Sequence, residues 1–427
     1  MKQNPRTFLK KFAACALAVA GAFAALRALG APSVLMPPPP VNTQPSFVSQ
    51  DQTNNELSAF IPSYQQMDDA LPQPLRFGPV TFRPHPFYSF LYVSGLQNGT
   101  NHAENSIIQQ ISPGISVDLG RHWTLDYTPT IQLYSNHDFR DAVNHSATLT
   151  GGTRYEDWLF GFSQSFAQSD ATLAETAVQT HQQNFDTELT TSYLLNEKFF
   201  LNFGLSQKFN FADNLQDSRE WSTLDWLNYE FNKRLVVGVG VGIGYVNVQG
   251  NHSPNQLYEQ MQARVQWRVT DKLSLTVNGG FDERQFLAKG YDSSLNPIFG
   301  ASILYAPFEQ TQLSLDASRA VSTSSLYILS QTTEGTSVSA NLNQRLLKKY
   351  NLHAGLGYTH TDYTVALGPF SANLRNDDVY SFNVRLSRSF LKRGNVAVTY
   401  QYSDNRSSQA GFTYRSNQVG CEIGFAY

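Results

Sequence analysis

Fourteen ionisable side chains are the first candidates for chemistry in this chain. Arg154, Lys208, Arg264, Arg268, Arg284, Arg345 and Arg385 are basic, and Asp118, Asp126, Asp186, Glu188, Asp282, Asp316 and Glu422 are acidic. Projected through the alternation of polar and apolar residues around them, all fourteen fall on one phase, so on strands they point to one side. As the lining of a passage the two signs nearly balance, which predicts no strong charge selectivity. Arg264 and Arg268 share one stretch, and Asp186 and Glu188 share another. Segregated ladders of this kind produce a transverse field in a pore. The same charges paired across the space would instead hold a wide wall together. Catalysis finds little support: there is no Ser-centred elbow, HExxH, CxxC or clustered His pair, and His145, His181, His353 and His360 are scattered. No metal or cofactor is expected. The acids Asp138, Asp141, Asp213, Asp217, Asp377 and Asp378 read as solvated loop charge, with divalent-cation binding the less favoured alternative.

The elements that position these side chains are strands. In 199–211, Phe199, Leu201, Phe203, Leu205, Phe209 and Phe211 alternate with Asn202, Gly204, Ser206, Lys208 and Asn210, and Gln207 is the one polar residue on the apolar phase. Ala263, Val265, Trp267 and Val269 alternate with Gln262, Arg264, Gln266 and Arg268 in the same way. Charged residues make up only 15% of the chain and aromatics 13%, with a net charge of -3. That balance argues against a nucleic-acid partner, and soluble domains carry about 25% charged residues. No apolar run of helical membrane length follows the N-terminal segment. One apolar face and one neutral polar face describe a barrel in lipid, because strands in a bilayer must close on themselves to satisfy every backbone amide.

The turns give an independent reading. Short polar turns recur near 120, 156, 196, 233, 271, 309, 348 and 392. Longer polar connections lie near 95–105, 135–145, 168–182, 212–220, 249–256, 285–294, 320–333, 362–378 and 403–415. Eight short and nine long connections predict an all-β fold, a transmembrane antiparallel up-and-down β-barrel of about 18 strands, with the short turns on the periplasmic side. Trp123, Tyr127, Trp158, Tyr193, Trp267, Tyr358 and Tyr380 suit its interfacial girdles. The apolar patches Leu326–Leu329 and Val365–Phe370, placed in long connections, would fold inward as a constriction or extend the strands. Gly238, Gly240, Gly242 and Gly244 form an inward stripe free of side chains, assigned to wall curvature, with a loop or the 32–80 segment lying against it as the alternative.

Three regions are expected. Residues 1–30 read as a signal peptide: Lys2, Arg6, Lys10 and Lys11, then an Ala-rich apolar stretch from Phe12 to Leu26, then small residues. Residues 31–82, with Pro37–Pro40, form a Pro-rich linker or plug-like segment. Residues 83–427 form the barrel. Cys15 falls in the signal, which leaves Cys421 as the one cysteine of the exported chain, without an intramolecular disulfide partner. Val419, Cys421, Ile423, Phe425 and Tyr427 alternate outward to the last residue, as expected of a strand recognised by outer-membrane assembly machinery.

Around Arg83-Pro84-His85-Pro86-Phe87-Tyr88-Ser89-Phe90-Leu91-Tyr92, and again at Tyr402-Ser403-Asp404-Asn405 and Phe412–Val419, the chain resembles the putative β-barrel porin type-2 family. The resemblance implies an outer-membrane barrel with a porin-like or polysaccharide-linked role and transfers no catalytic residue. The leading expectation is a porin-like channel for passive passage of small hydrophilic solutes, with lipopolysaccharide and other outer-membrane lipid as its surroundings. The alternatives are a barrel component of exopolysaccharide assembly or export, with its own partners, and a closed structural or adhesive barrel. A receptor with a plug domain is disfavoured, because 32–80 is short for such a plug.

Overall fold

The computed structural model describes residues 75–99, 103–172, 177–213, 215–249, 254–291, 293–323, 331–347, 349–367, 370–390 and 393–425. The expected signal segment, most of the Pro-rich stretch, the patch at 326–329 and Tyr427 lie outside the described residues. A short strand, β1 (Leu75–Phe77), turns at Gly78 and pairs back onto Val80–Phe82. The wall then follows as β2 (Val80–Gln97), β3 (Ala103–Leu119), β4 (Trp123–Tyr134), β5 (Ala142–Tyr155), β6 (Trp158–Thr172) and β7 (Gln179–Leu194). It continues through β8 (Phe199–Ala212), β9 (Asp217–Asn232), β10 (Leu235–Gln249), β11 (Gln256–Thr270), β12 (Leu273–Phe286) and β13 (Ser294–Phe308). The last six are β14 (Thr311–Thr323), β15 (Gln331–Leu346), β16 (Tyr350–Leu367), β17 (Phe370–Phe390), β18 (Gly394–Ser407) and β19 (Tyr414–Phe425).

Each wall strand pairs antiparallel with the next, and β19 pairs with β2 through Asn417↔Ser94 to Gly424↔Phe87, which closes an eighteen-strand ring. Closure leaves no sheet edge, and that is the condition for a β-structure in lipid. The connections at one end hold two to four residues, whereas those at the other reach seven. Strands of 12 to 21 residues exceed the roughly 9–11 that cross a bilayer, so the wall rises beyond the membrane.

Alternation sets the two faces. On β4, Trp123, Tyr127, Ile131 and Leu133 are exposed on the outside, while Thr124, Asp126, Thr128, Thr130 and Gln132 face in. The outward phase turns polar towards the end with the longer connections, where His181 meets Asp170 at 3.0 Å, Arg319 meets Glu334, and Arg406 meets Asp404 at 3.2 Å.

The expected long connection at 362–378 is a correction. β16 runs to Leu367 and β17 starts at Phe370, so two residues join them and Val365–Leu367 are strand. Polar composition had pointed to a loop there. The polar groups are instead satisfied between strands: Tyr358 Oη donates to Asp378 Oδ1 at 2.7 Å, and His360 bridges Asp378 and Asp362 at 2.8 and 3.2 Å. Asp217, Asp377 and Asp378 are therefore strand residues, while Asp138, Asp141 and Asp213 lie in connections.

Candidate pore lining

The pairing register carries one phase around the whole ring. Ser116↔Asp126, Asp126↔Thr148, Thr148↔Ser165, Ser165↔Asp186 and Asp186↔Lys208 link β3 to β8. Lys208↔Glu220, Glu220↔Val246, Gly238↔Arg264, Arg264↔Asn278 and Asn278↔Gly300 continue to β13, and the same phase returns through Gly420↔Leu91. Arg154, Lys208, Arg264, Arg268, Arg284, Arg345, Arg385, Asp118, Asp126, Asp186, Glu188, Asp282, Asp316 and Glu422 all occupy it. Ser, Thr, Asn and Gln fill most positions between them.

The charges are not free ladders. Arg83 Nη2 meets Asp118 at 2.7 Å, His85 Nε2 meets Asp126 at 2.9 Å, and Arg385 Nε donates to Glu422 at 2.9 Å across β18. Asp316 accepts from Ser302 Oγ at 2.7 Å, and Arg154 Nε donates to the Glu156 carbonyl at 3.3 Å. Asp186 lies directly opposite Lys208, with Glu188 two residues along β7 from it. Arg268 and Arg345 stand near the short-turn ends of β11 and β15. The Asp186–Glu188 and Arg264–Arg268 strands are four apart in a ring of eighteen, less than a quarter turn, so the two ladders do not face each other across the lumen. Strands one or two away supply the basic partners of Asp118, Asp126 and Glu422, while Asp316 is met by a hydroxyl and Arg154 by a carbonyl.

Lys208 gives a direct test, because it stands between Asp186 on β7 and Glu220 on β9. Lys208→Glu would place three carboxylates in a row. We expect the cation-to-anion permeability ratio to rise by about twofold at low salt and to fall back at 1 M, where the Debye length is about 3 Å. Reversal potentials across a salt gradient measure it. An unchanged ratio at low salt would show that Lys208 lies off the ion path.

The glycine stripe is a seat for side chains. A Cβ at Gly238 would lie 2.5 Å from Asn228 Oδ1, one at Gly240 would lie 2.6 Å from the Trp226 ring, and one at Gly244 would overlap the Tyr258 ring. The side chains of β9 and β11 lie flat over the bare backbone, so side-chain packing accounts for the stripe, not curvature alone or a docked loop. On these rings rest two guanidinium groups: Arg264 over Trp226 at 4.4 Å and Arg284 over Tyr258 at 4.7 Å. Arg264 donates to Asn228 Oδ1 through Nη2 at 2.6 Å, and Asn228 passes a hydrogen bond to Asn202 at 2.7 Å. Asp282 and Arg284 are 0% and 3% exposed. Sequence reading missed Trp226, Tyr258, Asn228 and Glu220 as members of this wall cluster. Following the inward phase through the glycines into β9 and β11 would have found them.

At the long-connection end an apolar cluster stands on the inward face. The connection 135–141 turns into the lumen, where Phe139, 4% exposed, packs on the inward Leu91, Val93 and Ile108 beside Tyr134. Leu96 joins them because a bulge between Val93 and Leu96 restores the inward phase. Adjacent connections lock on: Gly99 N donates to the Ala177 carbonyl at 2.7 Å, Asn98 Nδ2 to the Asp138 carbonyl at 2.9 Å, and Arg140 N to Gln179 Oε1 at 3.0 Å.

No curated protein matches the chain. Among solved structures, the Pseudomonas aeruginosa protein OccK2 (OpdF) is similar at 12% identity and TM-score 0.43, over 81% of this chain and 98% of that one. The siderophore receptor PirA of the same organism is similar at 10% identity and TM-score 0.42, over 81% and 80%. The ferric yersiniabactin uptake receptor FyuA of Yersinia pestis is similar at 11% identity and TM-score 0.39, over 84% and 81%. Residues 259–427 match the model of the family described as putative beta-barrel porin 2, and with the closed eighteen-strand wall this places the chain among the β-barrels of the bacterial outer membrane.

Proposed function

We propose that the chain is a passive, non-enzymatic channel for small hydrophilic solutes that carry little net charge. The observation that supports this reading most directly is the inward face: a ring of hydroxyls and amides in which nearby charges neutralise one another. Barrels of this strand number leave room for water, and a neutral polar lining offers hydrogen bonds without selecting a sign. Planar-bilayer recording of the purified protein tests the proposal. Discrete conductance steps with weak ion selectivity are expected, whereas silence at every voltage would favour a closed structural or adhesive barrel.

The Phe139 connection is the expected constriction. Phe139→Ala removes the ring that seats it on Leu91, Val93 and Ile108, and should raise single-channel conductance by about twofold or more, because the narrowest section limits the current. Equal conductance in the two proteins would place the limiting section elsewhere. Assembly through the C-terminal strand remains part of the proposal, since β19 presents Val419, Cys421, Ile423 and Phe425 outward as far as it is described.

A further inference from the structure

The outer wall of β6–β9 breaks the apolar belt. Gln164, Thr187 and Gln207 are register partners on β6, β7 and β8, and all three lie on the outward phase. Asp225 joins them on β9, opposite the outward Val241 of β10. Counted along each strand from its short-turn end, Gln164 is six residues in, Thr187 seven, Gln207 eight and Asp225 seven, so the four share one depth in the middle of the belt. Around them stand Phe166, Phe185 and Phe209, which with the two glutamines line a shallow groove.

Thr187 Oγ1 donates to Gln164 Oε1 at 2.5 Å, and Gln164 Nε2 reaches the Ser165 and Asp186 carbonyls at 3.1 and 3.3 Å. The side chains of Gln207 and Asp225 are left for the surroundings to satisfy, and lipid cannot do so. The Gln207 side chain has no hydrogen-bond partner among the described residues. Asp225 receives one long bond, from Gly204 N at 3.4 Å, and no cation among the described residues stands beside it. Outward charges at the long-connection end behave differently, as the Arg319–Glu334 and His181–Asp170 pairs show. An unpaired carboxylate in the middle of a lipid-facing belt is costly, and its position signals a surface that is covered by protein.

We propose that this patch seats a second copy of the chain, related by a two-fold axis along the membrane normal between β7 and β8. Two copies inserted in the same direction keep every residue at its own depth, so only such an axis lets one patch meet itself. It sets β6 against β9 of the second copy and β7 against β8. Gln164 then meets Asp225 and Thr187 meets Gln207, each pair formed twice. In the second pair the Gln207 amide donates to the Thr187 oxygen, whose own proton is held by Gln164. In the first, the Gln164 amide exchanges its 3.3 Å contact with the Asp186 carbonyl for the Asp225 carboxylate, so each donor meets an acceptor. The aromatic rings around the row supply the close-packed border.

The test uses the full mature protein in lipid nanodiscs, with mass read by native mass spectrometry. A dimer is expected, and Asp225→Leu combined with Gln207→Leu should lower the dimer fraction by about tenfold while the barrel still inserts. Disulfide trapping requires no disruptive variant: chains with Thr187→Cys and chains with Gln207→Cys, each also Cys421→Ala, are co-expressed and should link to each other. Val239→Cys with Val277→Cys, on the outward faces of β10 and β12, should not link. A monomer, a trimer, a complex with a different protein, or equal linking by the Val239 and Val277 pair would each overturn the proposal.

Discussion

Gly280→Ala is expected to cost the barrel about 3 kcal/mol or more, while Gly335→Ala, a glycine on the same inward phase, should change stability by no more than about 0.5 kcal/mol. The difference is one of room. A Cβ at Gly280 would overlap the Met261 carbonyl oxygen and come within 2.7 Å of Gln262 Cα. Both atoms belong to the backbone of β11, which is paired to β12 from Gln256↔Phe286 to Thr270↔Leu273. Moving them aside means opening that ladder, and an open ladder inside the wall leaves amides unpaired. At Gly335 nothing lies within 4 Å of the added carbon. Chemical unfolding of the two variants from the same lipid vesicles, followed by tryptophan fluorescence, compares them directly. Equal midpoints would mean that β12 can shift away from β11, and the rigid-wall account would fail.

The contrast between these two glycines also marks how far the sequence could be read. Period-two alternation at 199–211 and 262–269 announced the strands, and it placed all fourteen ionisable candidates on one phase, because every wall strand keeps that phase through its pairing. Nothing in the spacing of Gly238, Gly240, Gly242 and Gly244 told what lies above them. That depends on which rows of β9 and β11 face the stripe, a matter of register between strands and not of pattern within one. Trp226 and Tyr258 look like ordinary aromatic residues until Trp226↔Gly240 and Gly244↔Tyr258 are known.

The same limit explains two other misreadings. Asp377 and Asp378 looked like loop acids because charge is common in loops, yet Arg375 pairs with Asp377 through Nε at 2.8 Å and stacks on Phe412 at 3.9 Å, which makes that polar run a satisfied strand. The two acidic and basic ladders were visible as residues, but the side of the ring each occupies is a count of intervening strands. Phe139, in a connection of only seven residues, carried no periodic signal that it turns inward. Its partners are fixed by a bulge at Gly95, where a φ of 76° is open to glycine, and by the length of the connection.

Breaking the Asp282–Arg284 pair from one side should destabilise the barrel by about 3–5 kcal/mol, while removing both charges together should cost clearly less than the two single losses combined. The pair sits on the inward face of β12, where Arg284 Nε donates to Asp282 Oδ1 at 3.0 Å and Gln260 Nε2 donates to Asp282 Oδ2 at 2.8 Å. Arg284 also reaches the Val321 carbonyl on β14 through Nη2 at 2.6 Å, and its guanidinium covers Tyr258, whose hydroxyl donates to Glu220 at 2.5 Å. The cluster therefore spans β9 to β14 and ties that part of the wall together at its long-connection half. Asp282→Leu strands a cation that is 3% exposed, and Arg284→Met strands a carboxylate that is fully covered. In Asp282→Leu with Arg284→Met neither charge of the pair remains to be left buried alone, although Gln260 and the Val321 carbonyl lose a partner. A double-mutant cycle on unfolding free energies should return a coupling of about 2–3 kcal/mol, the upper part of the range for residues in one network. Coupling below about 0.5 kcal/mol would mean that water reaches both groups, and the cluster would then line the passage as solvated charge without bracing its wall.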